Sequence, residues 1–205
     1  MTHPNRSDHE WDDAYRQDAP PPWDIGRPQP AFAALAAEGL FRGSLFDAGC
    51  GTGEHTLLAA SLGATAYGVD LSPTAISHAR EKAAARGLSD VRFDAGDLLS
   101  FPLPAAAYDT VLDSGVFHSF DDADRARYVE VLSRVARPDA TVFLMCFSER
   151  QPGDWGPRRV TEAELRASFA SGWAVERIEP ATFEINPLPD ADSVDAWLAV
   201  FRRTP

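Results

Sequence analysis

Apolar residues recur along this chain in two rhythms. Short apolar runs occur at Leu45–Ala48, Thr65–Asp70, Val91–Asp94, Tyr108–Asp113 and Thr141–Phe147, and predict strands. Between them lie longer stretches with apolar residues three and four apart, such as Asp121–Ala136, where Tyr128, Val129, Leu132 and Val135 share a face. Helix signals mark the ends of these stretches. Pro30 opens a segment carrying Phe32, Leu35 and Ala36, and Gly39 ends it. Glu54 to about Leu62 is closed by Gly63, and Ser72-Pro73 starts a helix that runs to Arg86. Thr161 and Glu164 have the spacing of a capping box at the head of Thr161–Phe169. Trp173–Ile178 and Ala196–Arg202 read as two last strands, an antiparallel pair. The alternation predicts an α/β fold: one domain with a Rossmann-like, seven-stranded, mostly parallel sheet and helices on both faces.

Upstream of the first strand the pattern changes. A short helix is expected around His9–Gln17, with Trp11 and Tyr15 one turn apart. Pro20-Pro21-Pro22 stops it, and Trp23 to Pro30 forms a stiff extended crossing. A large aromatic such as Trp23 usually has something to cover.

The chemistry concentrates in Leu45-Phe46-Asp47-Ala48-Gly49-Cys50-Gly51-Thr52-Gly53-Glu54. A strand leads into a glycine turn and then a helix start, a place where a nucleotide-type cofactor lies against backbone without Cβ atoms and faces free N–H groups. A dinucleotide fingerprint requires G-x-G-x-x-G, with its last glycine where Glu54 stands. Here the glycines are Gly49, Gly51 and Gly53, and Asp47 precedes them. A carboxylate so placed repels a pyrophosphate and attracts an ammonium or sulfonium. Asp70 closes the second strand about 20 residues further on, where this fold holds the acid for ribose hydroxyls. Leu71 follows it. Asp97 and Leu98 follow the third strand, and Asp113 and His118 leave the fourth.

Composition narrows the classes. The chain has 205 residues and a formal net charge of −12, which disfavours a nucleic-acid substrate. Residues 1–13 are polar and acidic, unlike a signal or transit peptide, and no apolar run reaches membrane-spanning length, so a cytoplasmic protein with no membrane partner is expected. Cys50 and Cys146 make neither a disulfide framework nor a metal spacing, and no metal is expected. A monomer or homodimer fits these features equally.

The ordered set Asp47, Gly49, Gly51, Gly53, Asp70, Asp97 and Asp113 resembles the motifs of class I S-adenosylmethionine-dependent methyltransferases over about Phe41 to Phe147. The resemblance implies that Asp97 accepts from the adenine amino group while the Leu98 amide reaches the ring, and that Asp113 lies near the methionine portion. The arm Pro22-Trp23-Asp24-Ile25-Gly26 is similar to that of the thiopurine-methyltransferase-like group, where a tryptophan covers the methionine end. With Asp113 to Ser119 and Val160 to Leu165, it is also similar to actinobacterial heterocyclic toxin methyltransferases, which O-methylate hydroxyquinolone-type compounds. Residues 1–40 then form an arm and helix covering the active site, and residues 41–205 the methyltransferase domain. S-adenosylmethionine is the implied cofactor and S-adenosylhomocysteine its product. The implied acceptor is a small aromatic or heterocyclic molecule, contacted by Phe117, His118, Phe147 and Trp155, and the implied role is detoxification. Methylation on sulfur or nitrogen, a nicotinamide oxidoreductase and a non-catalytic binding module are the alternatives. His118 either takes the acceptor's proton or only packs.

Overall fold

The computed structural model describes residues 8–188 and 191–205. Its core is a seven-stranded sheet in the order β3-β2-β1-β4-β5-β7-β6. The strands are β1 (Ser44–Ala48), β2 (Thr65–Asp70), β3 (Val91–Ala95), β4 (Tyr108–Ser114), β5 (Ala136–Phe147), β6 (Trp173–Leu188) and β7 (Ala191–Arg203). The first five pair in parallel, and β7 runs antiparallel to both β5 and β6. The strand order reverses between β1 and β4, so their carboxyl ends open a crevice where this class of sheet binds its ligands.

The helices are α1 (Asp8–Tyr15), α2 (Pro30–Ala37), α3 (Glu54–Ser61), α4 (Pro73–Ala85), α5 (Asp122–Val135) and α6 (Glu162–Ser168). Their starts follow the local chemistry. Ser72 Oγ accepts the Ala75 N–H at 3.0 Å, and Asp121 accepts that of Asp124 at 2.9 Å. Thr161 and Glu164 complete the capping box in both directions. Strand alternation then splits the core by face. Phe46, Ala48, Val111 and Tyr128 pack on the α5 side, and Leu45, Leu112, Phe32 and Phe143 on the α2 side.

The last three strands and one turn depart from the sequence expectation, and β5 begins at Ala136 rather than Thr141. β6 continues ten residues past Ile178, to Leu188, because β7 starts earlier, at Ala191, and pairs with it residue by residue through Phe183. The added length brings Phe183, Glu184 and Asn186 beneath the N-terminal arm. The Asn186 side chain donates to Pro21 O and Asp24 O, and Gln29 exchanges two side-chain bonds with the Glu184 backbone. A 3-10 turn at Phe117–Ser119 was also not foreseen. Asp113 nucleates it by accepting the Val116 and Phe117 amides.

Candidate active site

The glycine turn leaves β1 with Gly49 at φ +66°, and a Cβ there would come within 2.1 Å of Val116 Cγ2. Gly53 caps α3 at φ +87°, wedged against the Phe93 ring. Both positions therefore require glycine. The turn amides ahead of the helix start bond within the protein. Those of Gly49 and Cys50 donate to Val69 O, that of Gly51 to Asp70, and that of Gly53 to Cys50 O. The turn holds itself to β2 and offers a ligand a surface flanked by acids.

Asp47 is fully buried at the end of β1. Its Oδ2 accepts the Thr56 hydroxyl at 2.6 Å, while Oδ1 has no hydrogen-bond partner. Burial lifts this carboxyl to about 7 against the bonds from Thr56. An unpartnered buried carboxylate oxygen beside the turn calls for a cation. Asp70 accepts from Gly51 N at 2.8 Å and Ser72 N at 2.9 Å, and the Leu71 amide also favours its charged form. Burial raises this carboxyl from its ordinary value, and each oxygen keeps a further lone pair.

The arm lies on the same turn. Asp12 of α1 accepts Ser72 Oγ at 2.7 Å and Thr74 N at 2.9 Å. Burial works to raise Asp12, but these bonds and Arg16 outweigh it and hold the carboxyl low. Tyr15 Oη sits over Gly51, 3.0 Å from where a Cβ would be, and accepts Trp23 Nε1 at 2.8 Å. Trp23 packs edge-on against Trp11 and Tyr15. Below them, Thr52 Oγ accepts Lys82 Nζ at 2.7 Å. An ammonium only donates, so the Thr52 hydrogen points to Asp24 of the arm, 3.0 Å from each carboxylate oxygen. Lys82, the sole lysine, also pairs with Glu54 at 2.8 Å.

At the third strand, Asp97 is exposed and caps its own turn, accepting Leu99 N and Ser100 Oγ. The Leu98 side chain is buried in the core. Gly96 does not make room for a ligand, because the Phe101 ring covers it. Asp113 is buried, and its carboxylate is taken up by protein donors. It accepts Val116 N, Phe117 N and the Tyr128 hydroxyl, the last at 2.9 Å. Burial pushes it to about 7 despite these bonds.

His118, Phe147 and Trp155 do come together, and β6 adds Phe183. The His118 ring lies 4.9 Å from Phe147 and 6.1 Å from Phe183, and Phe147 lies 6.2 Å from Trp155. Phe117 is not part of this group. Its ring is buried under the Arg125 guanidinium and against Phe169, because the Asp113-capped turn points it into the α5 side of the core. His118 Nδ1 accepts the Phe147 N–H at 2.9 Å, which leaves the proton of the neutral ring on Nε2. Burial, then Arg125 and Arg159, push its pKa down to about 3. A neutral ring held by Nδ1 in this way has Nε2 available as a donor rather than as an acceptor. No group of three or more metal-ligating side chains occurs among the described residues.

Residues 45–139 match a family described as "Methyltransferase domain". The chain is 38% identical over 184 residues to the 2-heptyl-1-hydroxyquinolin-4(1H)-one methyltransferase of Mycobacteroides abscessus, covering 86% of this chain and 81% of that protein. This chain belongs to the S-adenosylmethionine-dependent methyltransferases. A solved structure described as "Conversion of a Disulfide Bond into a Thioacetal Group during Echinomycin Biosynthesis" superposes with a TM-score of 0.85 at 39% identity, over 96% of this chain and 92% of that one. The fold alone is shared with the magnesium protoporphyrin IX methyltransferase of Synechocystis PCC 6803 with bound SAM, at 22% identity and a TM-score of 0.66, over 85% of this chain and 76% of that one. The site suits the methyltransferase's cationic cofactor, given the unpartnered Asp47 oxygen and the turn at Gly49.

Several residues gathered around the crevice carry no clear signal in the sequence. Tyr15 was foreshadowed only by its spacing from Trp11. Thr52, Asp24 and Lys82 are ordinary residues until the fold brings them together, and Phe183 depended on the length of β6.

Proposed function

We propose that this methyltransferase acts on a small, flat aromatic or heterocyclic acceptor with an acidic hydroxyl, hydroxyquinolone-like or phenolic, and methylates it on oxygen. One observation supports this reading: an aromatic group of His118, Phe147, Phe183 and Trp155 whose single imidazole spends Nδ1 on the Phe147 N–H. Bound S-adenosylmethionine supplies a methyl group already activated by a cationic sulfur, so the chain's residues need only bind, orient and exclude water. In this reading Asp47 faces the cofactor's positive charge, and Asp70 with Leu71 takes its ribose. Trp23 and Tyr15 close over the turn, and Asp97 with Leu98 borders the adenine. Asp113 holds the turn that carries His118.

The acceptor loses its proton to solvent and enters as the anion, and the His118 Nε2–H donates to it. The hydroxyquinolone substrate in the relative's name is consistent with this chemistry, as is a role in detoxifying such compounds. Methylation of a thiol is the second reading, since a thiolate likewise needs no base. The same reading takes the protein as a monomer or homodimer in the cytoplasm, acting on no nucleic acid, in keeping with its charge of −12. No helix among the described residues is long and apolar enough to cross a membrane.

The test is methyl transfer from labelled donor to a panel of hydroxyquinolones, phenols, amines and thiols. Turnover is expected to be greatest with hydroxylated bicyclic heteroaromatics and to follow the acceptor's own acidity. Transfer only to amines, or to none of the hydroxylated rings, would refute the reading.

A further inference from the structure

The segment between β5 and α6, residues 151–157, contains Pro152, Gly153, Gly156 and Pro157, and two of its residues have no N–H to donate. A loop of this composition satisfies few of its own carbonyls. Here they converge on one side chain. Arg159 Nε donates to Gln151 O at 3.2 Å, and its two terminal nitrogens donate to Trp155 O at 2.9 Å, Pro157 O at 2.7 Å, Gly153 O at 3.2 Å and Pro152 O at 3.4 Å. A guanidinium has five N–H donors in one plane, and all five are used. Its face lies 5.3 Å from the Phe147 ring and 5.9 Å from that of Trp155. Phe147 is also the residue whose amide fixes the His118 tautomer.

We propose that Arg159 is a specificity-determining positioning residue: it folds the 151–157 loop into a rigid wall that holds Trp155 across from His118 and selects flat acceptors. This rests on the acceptor reading above. With every donor spent on backbone, Arg159 makes no hydrogen bond to the acceptor and acts through the loop it gathers. Lysine cannot replace it, because a single ammonium keeps the charge but has three donors and no plane to stack. The loop is tied down at its start as well, where Gln151 Oε1 accepts Asp195 N at 2.7 Å. Trp155, at 39% exposed, is left with an open face beside the aromatic group.

The experiment compares wild type, Arg159→Lys, Arg159→Ala and Trp155→Ala. It measures KM and kcat for a hydroxyquinolone and for a small aliphatic thiol, hydroxyquinolone binding by calorimetry, and S-adenosylhomocysteine binding in the same instrument. Both Arg159 variants are expected to raise the hydroxyquinolone KM and Kd about tenfold, as for loss of a positioning element, with kcat changed less. The thiol KM and the S-adenosylhomocysteine Kd should stay within about twofold, since neither depends on the wall. Trp155→Ala leaves the arginine cage in place and should show the same selective loss, which keeps the test decisive if an Arg159 variant fails to fold. Rescue by lysine, an equal loss for both acceptors, or weakened cofactor-product binding would overturn the proposal. A wild type with no preference for the flat acceptor would overturn the acceptor reading together with this one. A preference that persists in Arg159→Lys would overturn this one alone.

Discussion

The two halves of the crevice are built on opposite principles. The half proposed to hold the cofactor comes from residues close in sequence, Asp47 to Glu54 and Asp70 to Thr74, and it is acidic. The half proposed to hold the acceptor collects His118, Phe147, Trp155, Arg159 and Phe183 from four separate segments, and it is aromatic with a cation behind it. One half leaves a buried carboxylate oxygen without a partner, and the other uses its only imidazole acceptor on backbone. In the proposed function the first holds a positive charge, and the second a ring that brings its own negative charge. On that proposal catalysis rests on bringing the two together, with little proton chemistry asked of the protein.

Three substitutions probe that contrast. The largest effect is expected at Gly49. In Gly49→Ala the new Cβ meets Val116 Cγ2 at 2.1 Å in a left-handed backbone conformation, with a cost of about 2 kcal/mol or more to the fold. Cofactor affinity should fall with it, and calorimetry alongside thermal melting measures both. Wild-type affinity in a folded variant would mean that the turn does not shape the cofactor site.

Asp47 comes next. The free protein holds its proton up to about pH 7, well above an ordinary carboxyl. Its unfolded carboxyl gives up the proton earlier, so this residue's contribution to stability declines as pH rises from about 4 to 7. A bound cation favours the carboxylate. Cofactor affinity should therefore rise with pH through about 7, with release of up to one proton visible as a buffer-dependent binding enthalpy. Asp47→Asn should abolish the proton release and weaken binding by about 2 kcal/mol. Buffer-independent enthalpy in the wild type would separate Asp47 from the cofactor's charge.

The smallest effect is expected at His118. With its pKa near 3 the ring stays neutral across the working range, so the pH–rate profile should carry no histidine limb and should shift with the pKa of each acceptor. His118→Ala should reduce turnover about tenfold, as for one lost hydrogen bond to a charged group, and leave the profile's shape unchanged. A limb near 6.5 that vanishes in the variant would support the base reading.

The geometry of the glycine turn and the acid after β2 was legible in the chain because its contacts are local. Glycine spacing, the acid before it and the acid after β2 all sit within one βαβ unit, where geometry follows from sequence distance. Where the outcome differed, the cause was competition among hydrogen-bond partners. Asp113 went to its own turn and Tyr128. The acceptor half was only partly legible. Phe147 and Trp155 were in the expected set, but Phe117 faced the core, and Phe183 and Arg159 had no local pattern to mark them.

The chain by itself determined the layered α/β sheet, the helix caps and the character of the cofactor, since each depends on residues a few positions apart. Tertiary structure alone decided the tautomer of His118, the latch from Asp24 through Thr52 to Lys82, and the arginine-centred wall. Those features join residues tens of positions apart, and which donor meets which acceptor there is settled only when the sheet and the arm have packed.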